Sequence, residues 1–328
     1  MTAFASHPGT TAAPTPTLLA RVAWHRPLLV LAIAMLALAL WAAIGMFVDP
    51  RVVTGAPLWA KPFKFAVSIG VYSLTLSWLI GMLTRGKRLA WWLGAVAAVF
   101  LAVEIVIIVG AAATDTTSHF NVSTPFHTAP WAVMAVSIVV VWTAAIPLAV
   151  MLFRSPLGDA ARTIAIRAGL VVALIGMGLG FLMTFPSAAQ LANYQGIVGA
   201  HTVGLADGGP GLPLLGWSTV GGDLRIPHFV GMHALQLIPL AALVIELLSR
   251  RVTVLQAPRV RHAIVWTGVV LYLVTLAILT VQAEVGQSIV HPGSATIVVT
   301  AVTYALAVIV IAIIVIRERS GGALGKSA

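Results

Sequence analysis

Hydrophobic residues in this chain fall in long unbroken runs, not at the spacing of half-buried strands or surface helices. Eight runs approach or exceed the ~20 apolar residues a helix needs to cross the hydrocarbon of a bilayer. They are 27–48, 63–84, 89–112, 130–153, 163–186, 226–249, 263–285 and 294–316. The polar residues between them alternate in kind. RGKR (85–88), RSPLGDAAR (154–162), RRVTVLQAPRVRH (250–262) and RERSGG (317–322) are basic, and they occupy every second connection and the end of the last run. The positive-inside rule places these segments and both chain termini in the cytoplasm. The pattern predicts an all-α integral membrane protein with eight transmembrane helices, multi-pass in the plasma (inner) membrane.

The remaining segments fit this scheme. Residues 1–20 are rich in Ala, Thr and Pro and read as a disordered tail, and 321–328 as a C-terminal tail. The first run is longer than a signal-peptide core and reads as an uncleaved span. The longest outer segment, 187–224, contains ADGGPGLPLLGWSTVGGD (206–223) and is expected to pack as a lid.

A weak internal repeat is visible. AKPFKFAVSIGVY (60–72) opens the second span and RIPHFVGMHALQ (225–236) the sixth. Aligning Lys64-Phe65 with His228-Phe229 puts Ile69 over His233 and Tyr72 over Gln236, and each stretch has proline in its first helical turn. Glu104 followed by His127 has a loose counterpart in Gln282 and Glu284 followed by His291. Two four-helix halves, 21–157 and 158–320, would then form a parallel repeat about an axis along the membrane normal.

Composition sharpens this reading. The chain is 60% hydrophobic and 9% charged, against roughly 25% charged in soluble proteins. With no cysteine, disulfides, thiolate metal sites and a cysteine nucleophile are excluded. A net charge of +10 would suit a nucleic-acid binder, but fifteen of the 19 Lys and Arg are cytoplasmic on this topology. Only Arg51, Lys61, Lys64 and Arg225 lie outside. The basicity is a topology signal, so the lipid bilayer is the expected partner, nucleic acid is not, and protein partners are unknown.

The candidate chemistry gathers toward the outer face. His119, His127, His201, His228, His233 and His291 lie at or near it, with Glu104, Asp115, Gln190, Asp207, Asp223, Gln282, Glu284 and Gln287. His233, about two turns into its span, is the leading candidate ligand or proton carrier, against a helix-to-helix hydrogen bond as the structural alternative. Gln236 shares its face and would orient it. His228 is five residues from His233, about 140° around the helix, so the two do not converge unaided on one small ion. Glu104 is expected to face the interior, paired or protonated, with Lys64, Arg225 or a histidine as partner. Asp223 suits a helix cap and Arg225 an interfacial anchor. Loop histidines are solvated by default, and Asp115 and His119 would share a metal only in a helical loop. HExxH, GxGxxG and GxSxG are all absent.

The phrases DGGPGLPLLGWSTVGGDLRIPHF (207–229), GMHALQ (231–236) and SHFNVSTPF (118–126) resemble those of an uncharacterised family of bacterial multi-span membrane proteins. The resemblance implies an eight-span bundle and no activity. The architecture alone is similar to heme A synthases, which pair four-helix halves and bind heme through histidines on the second and fourth helix of each half. Here the second span has Lys64 instead, and the fourth and eighth have only His127 and His291 at their outer entrances. Three functions are expected from these observations. The first is a heme- or metal-binding membrane protein, with oxidoreductase chemistry as its expected use, holding heme b or a divalent metal through His233 with His228, His291 and His127 as partners. The second is a transporter or proton-coupled carrier of a small polar solute. The third is a membrane enzyme acting on lipid head groups. All would use an outward polar cavity of Glu104, Lys64, Gln236, Asp223, Arg225, His119 and Glu284.

Overall fold

A computed structural model describes residues 22–324, and side chains to 320. The tail expected at 1–20 lies outside the described residues, as do 325–328 of the expected C-terminal tail, while the backbone of 321–324 continues the last helix. The element order is α1 (Arg26–Val48), a short hairpin of β1 (Val52–Val53) and β2 (Ala56–Pro57), α2 (Ala60–Met82), α3 (Lys87–Ala113), α4 (Pro125–Phe153), α5 (Ala160–Leu179), α6 (Ala188–Ala192), α7 (Arg225–Met232), α8 (Ala234–Leu248), α9 (Pro258–Glu284) and α10 (Ser294–Leu324). Seven helices are long and apolar enough to cross a membrane, and eight spans result if the bent pair α7–α8 counts as one. The protein is a multi-pass, membrane-embedded helical bundle.

Most helices lie within a few residues of the apolar runs, because hydropathy alone sets how much backbone must be hydrogen-bonded within itself in lipid. The sixth run differs. It is not one helix but two, bent by 47° at a break between Met232 and His233. The fifth also ends early, tightening into a 3₁₀ turn over Gly180–Thr184. Local devices set the helix ends. His25 caps α1, its Nδ1 accepting from Leu28 N at 3.3 Å while Nε2 donates to Trp91 O at 2.9 Å. Thr124 caps α4 and Asp159 caps α5. The β1–β2 turn has positive φ at Thr54 and Gly55, the backbone a tight two-residue hairpin requires.

Packing follows two groups. α1 lies along α2, α3 along α4, and α2 against α3; α5 packs on α7, α8 and α9, and α10 on α9. The groups meet where α4 touches α5 and α2 touches α8. One large core of Leu, Ile and Ala side chains fills the first group and reaches Leu170 and Leu235 of the second. A smaller core joins α5, α8 and α9.

The α5–α7 contact is set by small residues. Gly169, Ala173 and Gly176 recur at helical spacing on one face of α5, with Gly169 against α8 and Gly176 against α7. A Cβ on Gly176 would lie 2.2 Å from the backbone of Gly231 and Met232, so the two helices touch backbone to backbone, as small-residue faces permit in membranes.

The basic connections gather at one end, where Arg162 pairs with Glu246 (2.7 Å), Arg261 with Asp159 (3.0 Å) and Arg259 with Glu318 (2.8 Å). The other end carries the β-hairpin, loop 114–124 and the expected lid. The lid is bonded to loop 114–124 on one side and folds back on its own end, just before α7, on the other. Val122 N donates to Gly196 O and Val198 N to Phe120 O on one side, while Val203 N donates to Gly222 O and Leu224 N to His201 O on the other.

Candidate functional site beneath the lid

The polar residues under the lid are brought together by α2, loop 114–124, the lid and α7–α8. On α2, Lys61, Lys64, Ser68, Tyr72 and Leu76 recur at steps of three or four, forming one stripe from the lid end into the bundle. Pro62 in the first turn sacrifices no intrahelical hydrogen bond.

At the top of the stripe, Lys64 Nζ donates to Leu215 O at 2.8 Å. Arg225 donates to Gly216 O and grips Asp223 through Nε at 2.9 Å and Nη2 at 2.6 Å. The Asp223 side chain is fully buried and also accepts from Ser218 N at 2.7 Å. Asp223 and Arg225 therefore fasten lid residues 215–218 over α2 and α7. Arg225 is more than the interfacial anchor the sequence suggested.

Lys61 Nζ meets His119 Nδ1 at 3.1 Å, and Ser118 Oγ meets the same nitrogen at 2.9 Å. Burial, then the nearby Lys61 charge, hold the His119 imidazole neutral, well below its usual pKa. Its Nδ1 accepts from both neighbours, so the ring proton sits on Nε2. His119 is enclosed by Phe65, Phe120, Trp131 and His201, which corrects the solvated reading of this loop histidine. Asp115 has positive φ and pairs with Arg51 at 3.2 Å, so it shares no helical face with His119.

His201 Nδ1 lies 2.6 Å from Asp207, which also accepts from His201 N at 3.0 Å. Burial lowers the His201 pKa and outweighs the opposing pull of Asp207. For Asp207, burial acts upward, but the bond to His201 and further contacts leave it below the usual carboxylate range. The pair is thus a neutral imidazole donating Nδ1–H to a carboxylate.

Deeper in, His233 Nε2 lies 3.1 Å from Ser68 Oγ and its Nδ1 lies 3.3 Å from Gln236 Oε1. Phe229 covers the His233 ring at 4.4 Å, and Trp217 of the lid covers Phe229 at 5.6 Å. The break in α7–α8 falls at His233, turning this ring toward α2. Glu104 is only 2% exposed and its Oε2 has no hydrogen-bond partner. The charge acting on it is that of Lys61, with no ion pair formed, and not that of Lys64 or Arg225.

The remaining candidates are dispersed. His228 Nδ1 donates to Gly176 O at 2.8 Å. His127 Nδ1 bonds Thr124 at the start of α4, at 2.8 Å. His291 is exposed, with Nδ1 3.4 Å from Thr219 O. Glu284 is exposed on α9, whereas Gln282 is buried and donates to Ser288 O at 2.8 Å. Among the described residues no group of three or more His, Asp or Glu is placed to hold a metal ion.

Lys61 and Ser68 were not singled out as site residues from the sequence, and His201 and Asp207 were placed near the outer face without a role in the site. For Lys61 and Ser68 a signal existed, the helical spacing 61–64–68–72. For His201 and Asp207 none did, since only the lid fold pairs them. No family model matches the chain, and neither a curated protein nor a solved structure matches it.

Proposed function

We propose that this multi-pass protein lies in the plasma membrane with its lid on the outer side and binds the head group of an anionic lipid beneath that lid. The orientation rests on the basic connections at the opposite end. The head-group reading rests on one observation: Lys61 and Lys64, on one face of α2, each spend a single hydrogen bond and form no ion pair among the described residues, Glu104 acting on Lys61 without a hydrogen bond. An ammonium has three N–H donors, so most of this donor capacity is unspent. Asp223 is committed to Arg225 and Asp207 to His201. A phosphate entering from the bilayer surface would be met by both amines and by the Nε2–H of His119.

The other functions expected from the sequence draw less from this geometry. Heme or metal ligation by His233 would require His228, His127 or His291 to leave its own partner and turn toward the same centre. Transport needs polar lining through the bundle, whereas these groups cluster at one end.

The reading is tested with the full-length protein in nanodiscs of mixed phosphatidylglycerol and phosphatidylcholine, with bound lipid identified by native mass spectrometry. Retention of phosphatidylglycerol is expected, falling about tenfold or more in Lys61→Gln or Lys64→Gln, as loss of a charge-assisted contact of about 1.5–3 kcal/mol implies. Equal retention of both lipids, unchanged by either substitution, overturns it.

A further inference from the structure

Below the two lysines the same stripe of α2 reaches Ser68, whose Oγ faces His233, whose far nitrogen faces Gln236. With Gln236 Oε1 facing the ring, Ser68 O–H donates to His233 Nε2 and His233 Nδ1–H to Gln236 Oε1, which leaves the Gln236 Nε2 amide without a partner. That is a nucleophile, a base and a group fixing the base's tautomer, the logic of hydroxyl-nucleophile hydrolases recognised by geometry and not by chain order. We propose that Ser68, His233 and Gln236 form an acyl-transfer site that cleaves a carboxylic ester of a membrane lipid. The choice of lipid substrate rests on the head-group reading above.

Three further observations converge on an ester at this place. Ser68 is four residues below Lys64, a rise of about 6 Å, so a phosphate at Lys64 would put a glycerol backbone beside the Ser68 hydroxyl. Gln236 Nε2 is buried with no hydrogen-bond partner, leaving an N–H donor next to the reacting groups for an ester carbonyl. Next on the stripe, Tyr72 and Leu76 line an apolar crevice at the seam between the two groups of helices, with Leu148, Leu170, Leu174 and Leu235. Its apolar walls are those an acyl chain would follow. A purely structural hydrogen bond between α2 and α7–α8 would explain the Ser68–His233 contact, but not the orphaned amide or the alignment of cations, hydroxyl and apolar seam.

The chemistry balances without a cofactor. Ser68 Oγ attacks the ester carbonyl carbon while His233 Nε2 takes its proton. The tetrahedral intermediate collapses by breaking the carbon–oxygen bond to glycerol, and the imidazolium returns its proton to the departing alkoxide. A water deprotonated by the same nitrogen attacks the acyl-serine, the bond to Oγ breaks, and the proton returns to Oγ. One water is consumed, and a fatty acid and a lysolipid are released. Ser68 and His233 are catalytic residues, as is Gln236 through its Nε2–H on the ester carbonyl, while Gln236 Oε1 also positions the imidazole.

The test uses the full-length protein in phosphatidylglycerol nanodiscs, treated with a fluorophosphonate probe and separately assayed for released fatty acid. A probe adduct on Ser68 of the unmodified protein is expected, with labelling and release falling at least a hundredfold in Ser68→Ala and His233→Ala. Gln236→Glu labels more weakly, having lost the Nε2–H, and moves its onset to higher pH, because the facing carboxylate stabilises the protonated imidazole. A merely structural glutamine would not move that profile. The probe carries no lipid head group, so the two readings separate. An adduct on Ser68 without selective lipid retention keeps the nucleophile and removes the head-group reading. Selective retention with neither adduct nor fatty-acid release from the unmodified protein overturns the acyl-transfer site and leaves the head-group reading standing.

Discussion

Gly176→Ala and Gly178→Ala place the same methyl two residues apart on α5, and the structure assigns them opposite outcomes. At Gly178 a Cβ meets nothing within 4 Å, so alanine removes backbone freedom from the unfolded chain and stabilises by about 0.4–1 kcal/mol. At Gly176 the Cβ would sit 2.2 Å from backbone atoms of Gly231 and Met232, whereas ordinary contact begins near 3.4 Å. The helices must part by about 1.2 Å, the difference of those two distances. The obstacle is backbone, so no side chain can swing away. Overpacking of this kind costs about 1–3 kcal/mol, and the His228 bond to Gly176 O strains with it. Helix propensity returns at most about 1 kcal/mol. The two variants should therefore differ by about 2 kcal/mol, with Gly176→Ala below the parent and Gly178→Ala at or above it. Unfolding by dodecyl sulfate in mixed micelles, followed by tryptophan fluorescence, gives the order of midpoints. A Gly176→Ala midpoint at or above the parent's would refute the backbone-to-backbone crossing.

Three further outcomes are expected. Asp223→Asn leaves Arg225 without its buried counter-charge, a change worth about 3–5 kcal/mol when a partner is removed. The lid should then open to proteolysis between 205 and 219, and an unchanged digestion pattern would remove the pair as its fastener. His119 and His201 resist protonation in the folded protein, so the stability they contribute is complete above their usual pKa of 6.5 and declines as pH falls below it. Protection of the amides in 196–207, after correction for the intrinsic pH dependence of exchange, should fall between pH 6.5 and 5, and unchanged protection contradicts the neutral assignment. Reporter fusions after 86, 157, 255 and 322 should report cytoplasm and those near 55, 120, 205 and 290 the exterior. Two inverted reporters would overturn the orientation.

What the sequence alone determined about this protein follows from the solvent it must cross. In lipid every backbone polar group must be paired within its own segment, so an apolar run such as 89–112 is a helix whatever surrounds it. The seven long helices and their basic connections were readable for that reason. Part of the site was readable on the same terms. His233 with Gln236 one turn on, Glu104 turned inward, and the Lys64–Arg225–Asp223 group under a lid all follow from the cost of polar groups at membrane depth. The bend at Met232–His233 was not, because hydropathy is blind to a break inside an apolar run, and this one is held by the Gly176–Gly231 crossing. Nor was the burial of His119, which depends on lid residues more than seventy positions away. The pairing of Ser68 with His233 joins residues 165 apart. It depends on how far α2 is rotated against α7 and α8, and packing between helices sets that rotation. Local pattern says which side chains reach into the bundle; only the packed helices decide which of them meet.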